Sequence, residues 1–356
     1  MRTAQAIATA LTGLLLAFGA RAEPLAIGVA TPLSGPSELL GRQVETGAKL
    51  AAIAAGTELR IADDACTAEG GAAAAAGFVE AGVKAAIGFL CTESIEAAAP
   101  ILKDAGIPIL TVGVRTENLT EQRARTGWPV FRFGPRGDDE RNAAAAILTR
   151  LWKDELFAIV DDGTIYGREL AETLRAQAEQ AALKPVFVDT FRPGLDNQIA
   201  LVGRLRRAGA THVFVGGDAE DVAVMGRDAD EMGADIVFAG GEALLAATDV
   251  PLATGTLMIS LPEWAEAADR PVLDAFQAAG ALAEGYALPA YAAVQVVETA
   301  AAEADRTGKT LGEVLPAQEF STAIGPIRFD EKGDLTQNPY RAWRFHGQRF
   351  VPMEGQ

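Results

Sequence analysis

The sequence predicts an α/β protein of two lobes, each a parallel sheet with helices on both faces, joined by a hinge of several strands. Short apolar runs alternate with alanine-rich helical stretches over most of the chain, in two comparable series. Such alternation implies parallel sheets covered on both sides. The only two cysteines, Cys66 and Cys91, each follow an apolar run and precede a helical stretch. That places both at the carboxyl edge of neighbouring strands, where open α/β sheets take ligands. The 356 residues are enough for two lobes with separate cores.

The amino-terminal stretch belongs to neither lobe. Arg2 precedes a mostly apolar run from Ala6 to Phe18, and Ala20-Arg-Ala22 supplies small residues two apart. This is the pattern of a secretory signal over 1–22, cleaved before Glu23. The run is shorter than the ~20 apolar residues that a spanning helix needs, which argues against a membrane anchor.

The first series begins with a strand at Leu25–Ala30, a Pro/Gly-rich turn, and a helix near Gly41–Ala55 with Val44, Ala48, Ala51 and Ala55 on one face. Strands follow at Leu59–Ala62, Ala85–Phe89 and Ile107–Thr111, separated by helices near Thr67–Ala81 and Thr92–Lys103. The second series opens after Phe131-Arg-Phe-Gly-Pro135 with a helix near Glu140–Trp152 and a strand at Leu156–Val160. Strands at Val186–Val188, His212–Val215 and Ile236–Ala239 continue it, with helices near Gly167–Ala182, Gln198–Ala208 and Glu220–Met232. Gly255–Pro262 reads as a strand returning to the first lobe, followed by helices near Pro271–Ala279 and Pro289–Ala304. Ile327–Phe329 and Tyr340–Val351 read as short strands joined by polar turns. The expected lobes are therefore 23–135 plus 256–336, and 136–255 plus 337–356.

An exported chain meets oxidising conditions, so Cys66 and Cys91 are read as a disulfide rather than free thiols. The bridge closes a loop of about 25 residues, worth roughly 3 kcal/mol. The rival reading is a catalytic thiol, which needs a histidine to activate it. The two histidines, His212 and His346, sit in structural contexts, at the start of a buried-type strand and in an aromatic ribbon. The same scarcity argues against a zinc site, and no metal or other cofactor is expected. The net charge of −17, made more negative by loss of Arg2 and Arg21 with the signal, argues against a nucleic-acid partner.

Several segments carry a family resemblance: Ser34-Gly-Pro36, Asp63-Asp-Ala-Cys66, Ile87-Gly-Phe-Leu-Cys91, Asn118-Leu-Thr120, Tyr166-Gly167, Tyr291-Ala-Ala-Val-Gln295 and Ile324-Gly-Pro-Ile-Arg-Phe-Asp-Glu-Lys-Gly-Asp-Leu335. The chain resembles the type I periplasmic solute-binding proteins of ABC importers, in the leucine/isoleucine/valine-binding branch. The resemblance implies a monomeric periplasmic receptor that closes around a small-molecule ligand and presents it to ABC permease and ATPase subunits in the inner membrane.

It also implies a site. Thr92 opens a helix, where free N–H groups favour an anion, and the family places a Ser or Thr there on the ligand's carboxylate; a plain capping role is the alternative. Gly113 would offer backbone groups to the ligand. Arg115 departs from the small hydroxyl residue usual in that loop, and a guanidinium repels an ammonium rather than accepting from it. Arg115 either turns to solvent or grips an acidic group on a different ligand. Tyr166 matches a cleft tyrosine, although such a turn tyrosine can merely cap the lobe surface. Glu242 matches the acid that pairs with the ligand's ammonium, and its other reading is a solvated turn carboxylate. Asp218 stands where a tyrosine is usual, and Leu40 replaces a pocket aromatic. Together these departures favour a small polar or charged metabolite, such as an amino acid or amide, over leucine.

Two rival functions are weaker. An enzyme lacks support: no glycine-rich dinucleotide fingerprint follows the first strand, and no G-x-S-x-G elbow is present. A ligand-sensing receptor that feeds a membrane kinase or chemoreceptor would use the same two-lobe module.

Overall fold

The computed structural model describes residues 25–353; the expected signal over 1–22 lies outside them. Five strands, β1 (Ala26–Thr31), β2 (Glu58–Asp63), β3 (Ala85–Gly88), β4 (Ile109–Thr111) and β5 (Val130–Arg132), form one parallel sheet in the order β2-β1-β3-β4-β5. The second sheet is built from β6 (Phe157–Asp161), β7 (Phe187–Thr190), β8 (His212–Gly216), β9 (Val237–Gly240) and β10 (Leu257–Ser260). A separate hairpin pairs β11 (Glu319–Thr322) with β12 (Gly325–Arg328). The strands β13 (Arg341–Phe345) and β14 (Phe350–Pro352) return to the second sheet, whose order is β14-β13-β10-β9-β8-β6-β7.

Each sheet is apolar on both faces, as the strand sequences require. In β1, Ile27 and Val29 face the helices Glu38–Ala55 and Ala287–Thr307, while Ala30 joins the core beneath Ala68–Glu80 and Thr92–Asp104. In β6, Phe157 and Ile159 pack beneath Asp139–Leu151 and Ile165–Gln180, and Ala158 and Val160 pack on the other side. Small residues let the helices approach closely. A Cβ on Gly47 would lie 1.8 Å from the Ala287 carbonyl oxygen, and one on Gly71 would lie 2.1 Å from that of Ser94.

Three expectations are corrected. Gly255–Pro262 does not return to the first sheet: β10 pairs parallel with β9 and antiparallel with β13. A four-residue apolar strand carries no label for its sheet, and backbone pairing decides it. Cys66 and Cys91 do not follow adjacent strands, because β1 lies between β2 and β3. Their common edge still brings the Cα atoms within 5.2 Å, and the disulfide is formed. Finally, β5 and β11 are strands beyond those that the sequence pattern predicts.

Among the described residues, three segments pass between the two sheets: β5 to β6, β10 to the helices of the first lobe, and β12 to β13. The run after β12 anchors one of them. Oδ1 of Asp330 accepts from the backbone N–H groups of Lys332, Gly333 and Asp334, and Phe329 bridges to Leu335. Gly333 has φ +95° and lies against the Val130 carbonyl, where a Cβ would be 2.1 Å from oxygen; only glycine fits.

A cleft between two sheets

The loops at the carboxyl ends of β4, β6, β9 and β10 converge on a cavity of about 690 Å³ that both lobes line. Val112, Gly113, Arg115 and Phe133 come from the first lobe, and Tyr166, Glu242 and Leu245 from the second. Trp264 and Tyr286 complete an aromatic wall. The volume lies within the range of small-molecule sites.

Gly113 brings bare backbone to the wall. A Cβ there would sit 2.5 Å from Cδ2 of Leu90 and 3.2 Å from Cε1 of Tyr286. Two residues on, Arg115 turns into the cleft. Its Nη1 donates to Oε1 of Glu242 at 2.8 Å and to the Tyr340 hydroxyl at 3.2 Å. The Tyr340 hydroxyl in turn donates to Oε2 of Glu242 at 2.8 Å. Burial opposes the Arg115 charge, but Tyr340 and Glu242 beside it hold the guanidinium firmly protonated. Burial lifts the Tyr340 phenol well above its ordinary range, with Glu242 and Glu140 adding to the rise and Arg115 opposing it.

Glu140 supports this group from behind. Its Oε1 accepts the Tyr166 hydroxyl at 2.7 Å and the Glu242 backbone N–H at 2.7 Å. The carboxyl is buried, and burial pushes its pKa up against the lowering effect of those two hydrogen bonds. Gly241 leaves room for it, since a Cβ there would meet Oε1 at 2.2 Å. Glu140 thus fixes both Tyr166 and the turn that presents Glu242.

The cavity therefore brings together four of the six candidate residues, Gly113, Arg115, Tyr166 and Glu242. Asp218 instead caps the helix Ala219–Glu231, its side chain accepting from the Asp221 N–H at 3.0 Å. Thr92 begins the helix Thr92–Asp104, whose N-cap is Cys91, and neither Thr92 nor Leu40 lines the cavity. Sequence reasoning missed Glu140, Tyr340, Trp264 and Tyr286. Glu140 hides among the acidic residues that suit any first helical turn. Tyr340 lies in a carboxyl-terminal ribbon with no local sign of a cleft. Among the described residues, no group of three or more His, Cys, Asp and Glu side chains is arranged to hold a metal ion.

The family model described as periplasmic binding protein matches residues 24–348. The chain belongs to that family. This periplasmic binding protein is 28% identical to the leucine-, isoleucine-, valine-, threonine-, and alanine-binding protein of Pseudomonas aeruginosa, over 92% of each chain. It is 29% identical to the Leu/Ile/Val-binding protein of Escherichia coli, over 93% of this chain and 94% of that one. Among solved structures it resembles a putative branched-chain amino acid ABC transporter from Rhodospirillum rubrum, with a TM-score of 0.75 at 20% identity over 93% of this chain and all of that one. The fold is the two-lobed type I arrangement, and the family is one of solute-binding proteins rather than enzymes.

Proposed function

We propose that this protein is the extracytoplasmic solute-binding component of an ABC importer, which captures a small polar, amino-acid-like ligand between its lobes and delivers it to a membrane permease. The observation that carries this reading is the shared lining of the cleft: a ligand there touches Gly113 and Arg115 of one lobe and Tyr166 and Glu242 of the other. Closure follows from that geometry, since a ligand shifts an open–closed equilibrium by its differential affinity for the closed form. The relatives named as amino-acid-binding proteins support the ligand's size class. The periplasm is the expected site of capture, with the cysteine bridge suited to it.

Trp264 in the cleft wall offers a direct test. Titration of the mature protein with a panel of amino acids, amides and small carboxylic acids should give a saturable change in tryptophan fluorescence with one class. Small-angle scattering should show a smaller radius of gyration at saturation. A panel that leaves both signals unchanged would remove the capture reading.

A further inference from the structure

Glu242 is the carboxylate that the cleft presents beside its buried wall, whereas the other acids of the lining, Glu263 and Glu284, are exposed. Glu242 is already engaged on both oxygens, Oε1 by Arg115 and Oε2 by Tyr340. A ligand ammonium that approaches Glu242 meets a guanidinium already in place and held there by Glu242 and Tyr340 together. It must either displace Arg115 or share a part-buried carboxylate with a second cation, and like charges at such a separation repel strongly in a partly desolvated site. We propose that Arg115 is a built-in counter-ion for Glu242, so that the cleft selects small carboxylic acids that lack an amine over their α-amino counterparts.

The remainder of the site fits such a ligand. Both bonds of Arg115 leave from Nη1, so neither uses Nε or Nη2 of a fork suited to carboxylate oxygens. Phe133, Trp264, Tyr286 and Leu245 supply an apolar wall for the acid's body. Glu140 does not line the cavity: it is buried behind the wall, where its Oε1 accepts from the Tyr166 hydroxyl and the Glu242 N–H.

This inference rests on the capture reading, and matched ligands separate the two. Binding is measured calorimetrically for the pairs phenylalanine and 3-phenylpropanoate, and leucine and 4-methylpentanoate, with the wild type and Arg115→Thr. The wild type should bind the amine-free member at least about tenfold more tightly, a difference of roughly 1.4 kcal/mol. Arg115→Thr, its folding checked by the unfolding midpoint, should lose affinity for the acids and gain it for the amino acids, closing or reversing the gap. Equal or tighter wild-type binding of the amino acids overturns the inference and leaves the capture reading standing. Failure of every pair, together with a silent fluorescence panel, removes both.

Discussion

Arg132 and Asp334 lie 202 residues apart in the chain and meet inside the first lobe, where Nε of Arg132 donates to Oδ1 of Asp334 at 2.8 Å. The Arg132 side chain has no exposed surface. Its Nη1 donates to the carbonyls of Val114 and Thr116, and its Nη2 to the Thr120 hydroxyl. Thr120 passes its own proton towards Oδ2 of Asp334 at 2.8 Å, and Arg136 reaches the same oxygen at 3.0 Å. This network ties the loop that carries Arg115 to the crossing segment after β12. A buried charge of this kind is tolerated because its partners are complete.

Asp334→Ala leaves Arg132 buried without its counter-ion and should destabilise the protein by about 3–5 kcal/mol. The urea unfolding midpoint measures the loss. The double replacement Arg132→Met with Asp334→Leu removes the unpaired buried charge and should recover part of the loss, the remainder reflecting the Val114 and Thr116 carbonyls and Arg136 left without these partners. A single variant as stable as the wild type would show that the pair contributes nothing.

Two helical glycines should respond in opposite directions. Gly47→Ala drives a methyl group into the Ala287 carbonyl across the helix crossing, and overpacking of this sort costs about 1–3 kcal/mol. Gly77 is exposed within the helix Ala68–Glu80 and has nothing near its missing Cβ. Gly77→Ala should therefore stabilise by roughly 0.5–1 kcal/mol through backbone entropy. Thermal unfolding of the two variants side by side checks both signs.

Glu140 carries a pH signature. Its folded pKa is raised by burial, so the folded state holds the proton more tightly than the unfolded chain. Its stabilising contribution is complete below the ordinary glutamate pKa of roughly 4.3 and is lost as pH rises through the folded value. Glu140→Gln keeps an oxygen to accept from Tyr166 and the Glu242 N–H while removing the titration. Relative to the wild type, the variant should gain stability as pH rises from mildly acid to neutral. Denaturant midpoints across that window measure the difference, and a gap that widens towards acid instead would contradict the assignment.

Loss of the disulfide should cost about 3 kcal/mol, from the loop of 25 residues that it closes. The double variant Cys66→Ser, Cys91→Ser reports it as a lower unfolding midpoint. Adding reductant to the wild type should reproduce the shift, and reductant should leave the variant unaffected.

The strand–helix alternation was legible because β1, β3, β6 and β8 are apolar on both faces, and because the alanine-rich stretches that follow are too long for strands. β5 escaped notice because it has three residues with Arg132 among them, whose charge is paired with Asp334 far along the chain. The sheet to which β10 belongs was hidden for a related reason: Leu257–Ser260 is almost uniformly apolar, and its partner β13 lies some eighty residues later. In the cleft, the position of Glu242 could be inferred from a strand end, whereas Gly113 and Tyr166 were reached through the family resemblance. The orientation of Arg115 could not, since it depends on Tyr340, which reaches the cleft through folding alone.

The second sheet receives its final strands from the last part of the described chain. Until Arg341–Phe345 is available, one side of β10 has no antiparallel partner, and unpaired apolar edges invite mispairing between molecules. A molecule interrupted before that segment would keep its first sheet intact while leaving this edge open. Completion of the second sheet therefore waits for Arg341–Phe345, and a chain that stops before that segment should aggregate rather than fold.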